Sequence, residues 1–129
     1  MKLVFICAPY RAPTKEGVLA NIVNAEVHGI DVVNKLGWYQ YFPVIPHTNT
    51  ALFDYDPRVD ESSRKNDKYW IAGTSRLLSR CDFVFCPYSW EDSTEGMRQE
   101  LQFASGHRIP VYNSLSTLVN REIRERETK

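Results

Sequence analysis

Glu100 is the residue whose type and position stand out most. At helical spacing it falls with Met97, Leu101, Phe103 and Ala104 on the apolar side of one helix. Burying an unpaired charge is costly, and two readings are open. The stem runs along the core edge with its head in water or on an arginine, or the carboxylate is aimed into a cleft. In the second reading it stands in the early turns of its helix. There the positive end of the helix dipole favours the ionised form, which suits a nucleophile. Thr94 is placed to cap that helix, and Gly96 lets a ligand approach the backbone closely. Free amides at a helix start bind anions, phosphate above all.

Other candidates lie elsewhere along the chain. Ala8-Pro9-Tyr10-Arg11 follows an apolar run; Arg11 could fork onto a phosphate and Tyr10 could stack on a base, or the segment is a plain surface turn. Glu26 sits at helical spacing with Ile22, Ile30 and Val33. It reads as a second catalytic carboxylate, a partner for a buried cation, or a contact with another helix or subunit. His47 ends a strand and points toward the same cleft, although a lone histidine is more often a hydrogen-bonded structural residue. Trp70 reads as core and Trp90, in a polar loop, as the better stacking candidate. The chain has no GxxxxGK[ST] phosphate loop.

The elements that must position these residues alternate. Leu3–Cys7 is apolar on both faces, the mark of a buried parallel strand. A proline-containing loop runs to Glu16, and a helix follows over Gly17–Leu36, with Gly37 as its C-terminal cap. Val18, Ile22, Ala25, Gly29, Val32, Val33 and Leu36 make its apolar face. Trp38–Ile45 reads as a second strand and Pro46–Asn66 as a long polar segment without periodicity. Loops this long in a small domain usually carry function or move. Asp67–Ser79 is a helix, Asp82–Cys86 a buried strand, Thr94–Gly106 a helix and Arg108–Tyr112 a short strand. The tail from Ser114 is a peripheral charged helix with Leu115, Leu118, Val119 and Ile123 on its apolar side. This order predicts one α/β domain over residues 1–129, a Rossmann-like or flavodoxin-like parallel sheet with helices on both faces. Ligands then sit beyond the carboxyl ends of the strands.

Composition narrows the classes. The 129 residues suit one domain, and 16 basic residues balance 16 acidic ones, for a formal charge of zero. That argues against a nucleic acid polymer as partner, which needs a basic surface. No apolar run approaches the roughly 18 residues of a membrane span, and the N-terminal apolar run is too short for a signal peptide. Cys7, Cys81 and Cys86 form no CxxC pair, so neither a disulfide framework nor a zinc site is expected. A reduced, cytoplasmic setting follows.

The order of FICAPYR (Phe5–Arg11), Asn21 and Ala25, PxxPH (Pro43–His47), LLSRCDFVF (Leu77–Phe85), TEGMRQELQFA (Thr94–Ala104) and RIPVY (Arg108–Tyr112) resembles the nucleoside 2-deoxyribosyltransferase-like superfamily. The resemblance covers nearly the whole chain up to Asn113. Its most specific part is [Ser/Thr]-x-Gly-x-x-x-Glu-x-x-x-Ala, here Thr94 to Ala104. It implies cleavage of an N-glycosidic bond with Glu100 as nucleophile at the anomeric carbon and no cofactor. Thr94 and Gly96 would hold the 5′ end of the sugar or its phosphate. The loop with Arg11 would close over that end, and His47 would line the pocket.

Two positions depart from the family pattern. Phe5 stands where active members often carry a Tyr, and Thr74 where they often carry an Asp that helps protonate the leaving base. The acid role is then vacant or filled by Asp67, Asp92 or the acidic residues of the long segment. The expectation is an N-glycosidase, or a deoxyribosyltransferase if an acceptor base rather than water resolves the intermediate, acting on a small nucleotide or nucleoside; the hydrolase on a 5′-phosphorylated substrate is preferred. The alternative is a non-catalytic nucleotide-binding module that sequesters or senses its ligand. Leu19, Val23 and Ile30 widen the apolar arc of the first helix beyond its core stripe, so a homodimer or higher homo-oligomer using that helix is expected.

Overall fold

A computed structural model describes residues 1–128. Its sheet has four strands, β1 (Lys2–Ile6), β2 (Tyr41–Val44), β3 (Phe83–Phe85) and β4 (Val111–Tyr112), in the order β2-β1-β3-β4 and all parallel. Helices α1 (Lys15–Leu36), α4 (Asp67–Leu78), α5 (Glu95–Gly106) and α6 (Leu115–Glu127) cover it, and the one-turn helices α2 (Pro46–Asn49) and α3 (Glu61–Arg64) lie between β2 and α4.

The alternation along β1 explains the two layers. Val4 and Ile6 face one side and pack with Ala25, Val32 and Leu36 of α1 and Leu115 and Leu118 of α6. Phe5 and Cys7 face the other and pack with Leu78 of α4 and Met97 and Ala104 of α5. A strand buried on both faces cannot afford polar positions, which is why Leu3–Cys7 reads as a continuous apolar run. The strand order reverses direction between β1 and β3, so the crevice beyond their carboxyl ends is the topological switch point.

Local chemistry sets the element ends. Thr14 Oγ1 accepts from the Gly17 N–H at 3.1 Å, so α1 begins at Lys15, two residues earlier than its apolar spacing predicts. Gly37 does not end the helix in a left-handed turn. Its φ is −58° and the chain continues through a 3-10 turn over Gly37–Tyr39; the left-handed residue is Gln40, at φ 68°. The second strand is accordingly only Tyr41–Val44. Gly29 lets the Ile45 side chain pack close against α1: a Cβ there would lie 2.4 Å from Ile45 Cδ1.

Three expectations for the helices are corrected. Val33 is exposed with Leu19, Val23, Val27 and Ile30, because Val32 takes the inward position beside it. The tail helix is not peripheral, since Leu115 and Leu118 are buried in the core. Its next inward position is Glu122 rather than Ile123. The Glu122 carboxylate accepts from the Tyr41 hydroxyl at 2.5 Å and from Arg126 Nε at 3.2 Å. Burial pushes that carboxyl up, but these donors outweigh it and hold it below its ordinary value. Among the described residues, no helix is long and apolar enough to cross a membrane.

Candidate functional site

At the switch point lies a cavity of about 600 Å³, within the range of small-molecule sites. Its wall comes from the loop after β1 (Ala8, Tyr10, Arg11), from α2 (His47), from one face of α4 (Trp70, Ile71, Thr74) and from the start of α5 (Thr94, Gly96, Glu100). These are the segments that follow parallel strands, where such sheets place ligands.

Glu100 lines this cavity and is half-buried. The helix dipole does not keep it ionised as its position in the sequence suggests. Burial pushes its carboxyl up to about 8, helped by the negative charge of Cys86 and opposed by a hydrogen bond with Cys7. At neutral pH the group is therefore mostly protonated, and it becomes a nucleophile on losing that proton.

Thr94 caps α5 as its sequence position requires. Its Oγ1 accepts from the Met97 N–H at 3.2 Å, and its own N–H donates to Met97 Sδ at 3.4 Å. A Cβ on Gly96 would meet only Thr94 Oγ1, at 3.9 Å. No packing in the protein requires glycine there, and the space in front of it is open cavity.

The first loop is held from below. His47 is buried, and its Nε2–H donates to the Ala8 and Pro9 carbonyls at 2.9 and 3.1 Å. Burial lowers its pKa, with the two carbonyl contacts opposing, so the ring is neutral and fixes Ala8 and the loop that follows. Among the described residues, its buried Nδ1 finds no partner. Tyr10 turns its ring onto His47, with centroids 5.7 Å apart. The Tyr10 hydroxyl donates to Asp54 Oδ1 at 3.3 Å and accepts from the Leu52 N–H at 3.2 Å. Arg11 reaches across the cavity to Asp67, with Nη2 to Oδ1 at 2.6 Å. Asn21 Nδ2 donates to the Tyr10 carbonyl at 3.0 Å and ties the loop to α1.

Ala8, Tyr10, Arg11, His47, Thr94, Gly96 and Glu100 therefore all line one cavity. Two other candidates do not. Trp90 is 53% exposed outside the cavity, under the Arg98 guanidinium at 5.3 Å; the loop after β3 turns away from the site and Arg98 covers the ring. Glu26 is exposed on α1 and lines no part of the cavity: of the residues spaced with it, Ile22 is buried while Ile30 and Val33 face outward, and Glu26 lies on their side of the helix. Phe5 is fully buried in the core below, whereas Thr74 lines the cavity. Of the acids considered for protonating a leaving base, Asp54 and Asp67 line the cavity. Asp92 does not, and accepts from Ser89 Oγ at 2.9 Å in its own turn.

The face of α4 was legible only in part: Asp67 and Thr74 were weighed for the acid role and Trp70 was placed near the cleft but read as core, while Ile71 was not weighed for the site. Trp70, which reads as core, is half-buried, lines the cavity and donates from Nε1 to the Ser63 carbonyl at 3.0 Å. The available signal was the i, i+1, i+4 spacing of Trp70, Ile71 and Thr74 on a helix with only Leu78 fully buried.

No curated protein and no solved structure matches the chain significantly. One family does, over residues 2–114: it is described as a domain of unknown function (DUF7768), and the chain belongs to it.

Proposed function

We propose that the protein is an N-glycosidase that cleaves the base–sugar bond of a nucleoside or nucleotide with Glu100 as nucleophile. The observation that carries this reading is the place of Glu100: a carboxyl on the cavity wall, one turn past a helix start whose cap is Thr94 and whose open position is Gly96. The likeness of Thr94–Ala104 to the nucleoside 2-deoxyribosyltransferase-like superfamily supports the same assignment. Cleavage of this bond passes through an oxocarbenium-like transition state, which a carboxylate beside the anomeric carbon stabilises. Ionised Glu100 attacks that carbon, the bond from carbon to base nitrogen breaks, and a glycosyl ester of Glu100 forms. Water then cleaves the ester and returns the free carboxylate. Asp54, Asp67 and Glu95 are the other carboxyls on the cavity wall and the candidates for protonating the leaving base.

The phosphate preference carries a condition. Arg11 already donates one of its N–H groups to Asp67, so a 5′-phosphate on Arg11 shares the guanidinium with that carboxylate or competes with it. A second reading, a non-catalytic nucleotide-binding module, is favoured by one observation: Thr74 lines the cavity where an acid would be expected. Free Cys7, Cys81 and Cys86 support a reducing, cytoplasmic setting. The outward apolar arc of α1 supports a homo-oligomer with a second copy on that helix. The functional test is incubation of the protein with a panel of nucleosides and their 5′-monophosphates, with released base resolved by chromatography. Base release supports the N-glycosidase; tight binding with no release across the panel supports the binding module.

A further inference from the structure

The groups on the cavity wall are one-sided in charge and in hydrogen bonding. Among the described residues the wall carries one cation, Arg11, against the carboxylates of Asp54, Asp67 and Glu95. It is therefore negative even without Glu100, which is mostly protonated at neutral pH. The strong donors are already engaged inside the protein. Arg11 Nη2 donates to Asp67 Oδ1 at 2.6 Å, the Tyr10 hydroxyl to Asp54 Oδ1 at 3.3 Å and Trp70 Nε1 to the Ser63 carbonyl at 3.0 Å. The start of α5 carries an anion of its own, Glu95, in the first turn, where it occupies the positive end of the helix dipole.

Acceptors remain. His47 is only 4% exposed. Its Nε2 faces two carbonyls, which only accept, so Nε2 carries the hydrogen. Nδ1 is then a buried acceptor with no partner among the described residues. A 5′-phosphate brings negative charge and acceptor oxygens, and so repeats what the wall already has. A ligand with positive charge and donors complements it. The aromatic rings on the same wall favour a flat cation. Tyr10 and Trp70 both line the cavity, and both are fixed. Tyr10 leans on the His47 ring, and Trp70 is pinned by Ser63 and packs at 85° to Tyr69, with centroids 5.2 Å apart. Aromatic faces attract a cation through their quadrupole, and carboxylates attract it through charge.

We propose that the cavity takes a nucleoside without a 5′-phosphate whose base is a cationic heteroaromatic ring, an N-ribosylpyridinium or an N7-alkylated purine. That this nucleoside is a substrate rests on the N-glycosidase reading. The proposal reverses the 5′-phosphate preference expected from Arg11 and the start of α5. A base of this kind leaves without an acid. Ionised Glu100 bonds to the anomeric carbon, the bond from carbon to base nitrogen breaks, and its electron pair enters the ring and cancels the positive charge. Thr74, at the position where an acid is expected, is then no deficiency, and the cavity carboxylates hold the cation instead of delivering a proton.

The test is calorimetric titration of full-length Glu100→Gln protein, which keeps the ligand intact, at about pH 6 in low salt. Two matched pairs are compared: nicotinamide riboside against its neutral dihydro form, and 7-methylguanosine against guanosine. Each cation is also titrated as its 5′-monophosphate. At least one cation is expected to bind at least about tenfold more tightly than both its neutral partner and its own 5′-monophosphate. Added salt is expected to narrow both gaps, because it screens the charges of the wall. The pair that responds tells a pyridinium from an alkylated purine. Adding Asp54→Asn and Glu95→Gln is expected to cut the preference for the cation several-fold; should that protein fail to fold, Glu95→Gln alone, exposed at the helix start, is expected to act in the same direction. Equal binding of cation and neutral partner in both pairs, a 5′-monophosphate bound as tightly as its nucleoside, or a preference unchanged by the substitutions overturns the proposal. Base release is followed separately with the wild type. Its absence counts against the N-glycosidase reading, while the binding constants still decide what the cavity takes.

Discussion

Arg11 Nη2 and Asp67 Oδ1 lie 2.6 Å apart, bridging the loop after β1 and the first residue of α4 at the cavity. Both side chains are about two-thirds exposed, at 67% and 68%. Such surface pairs are worth only about 0–1 kcal/mol, so the pair is a weak latch that a stronger anion can open. Asp67→Asn frees Arg11 and is expected to lower KM several-fold for 5′-monophosphates while leaving the KM of nucleosides nearly unchanged; a fall in kcat on both would mark Asp67 as the acid. Arg11→Ala is expected to do the reverse, weakening phosphorylated ligands by about 1.5–3 kcal/mol for a lost charge-assisted contact. Steady-state kinetics on matched nucleoside and nucleotide pairs read both.

Glu100 also writes a pH signature into stability. Its carboxyl sits at about 8 in the folded chain against an ordinary 4.5. Between these values the folded state binds more protons than the unfolded one, so stability is full below 4.5 and is lost as pH rises toward 8. Glu100→Gln removes that loss. The variant is expected to match the wild type near pH 4.5 and to gain on it as pH rises, by at most about 1.4 kcal/mol per pH unit. Urea denaturation at a series of pH values checks this; a constant difference between the two proteins counts against it.

Two glycines on helices should answer substitution oppositely. A Cβ on Gly29 meets Ile45 Cδ1 at 2.4 Å, while one on Gly73 meets nothing within 4 Å. Gly29→Val is expected to destabilise by about 1–3 kcal/mol through overpacking against β2. Gly73→Ala, exposed on α4, is expected to stabilise by about 0.5–1 kcal/mol through backbone entropy and helix propensity. Chemical denaturation of each variant supplies both numbers.

The face of α1 carrying Leu19, Val23, Val27, Ile30 and Val33 is exposed, each residue by at least 43%. Contiguous apolar surface of this kind marks a contact site. Light scattering is expected to give a dimer or larger species, reduced to a monomer by Val23→Glu with Val27→Glu. A wild-type monomer at high micromolar concentration counts against it.

Which parts of this were legible in the sequence follows from what each signal reports. Apolar runs report burial on both faces, so β1, β3 and the parallel sheet could be read directly. Helix starts could be read wherever the cap was weighed, as at Thr94; at Thr14 it was not, and α1 was placed late. Glu100 was found because a carboxylate among apolar positions breaks a pattern. Glu26 broke the same pattern falsely, since its arc runs from buried Ile22 to exposed Ile30 and Val33, and spacing cannot tell a core face from an uncovered one. Trp90 was misplaced because a loop's composition says nothing of its direction. The charge state of Glu100 was read from the helix dipole alone, and desolvation, which only the packed structure reveals, outweighs it.

The most direct measurement is the rate of base release by wild type and Glu100→Gln on the best substrate of the panel, at pH 8.5, where burial no longer keeps Glu100 protonated. Glutamine keeps the shape of the cavity but cannot readily form the glycosyl ester. The expected result is a loss of at least about a thousandfold, on the order of 4 kcal/mol in barrier, with the fold and ligand binding retained. Base released by Glu100→Gln at the wild-type rate would contradict the assignment of Glu100 as the nucleophile.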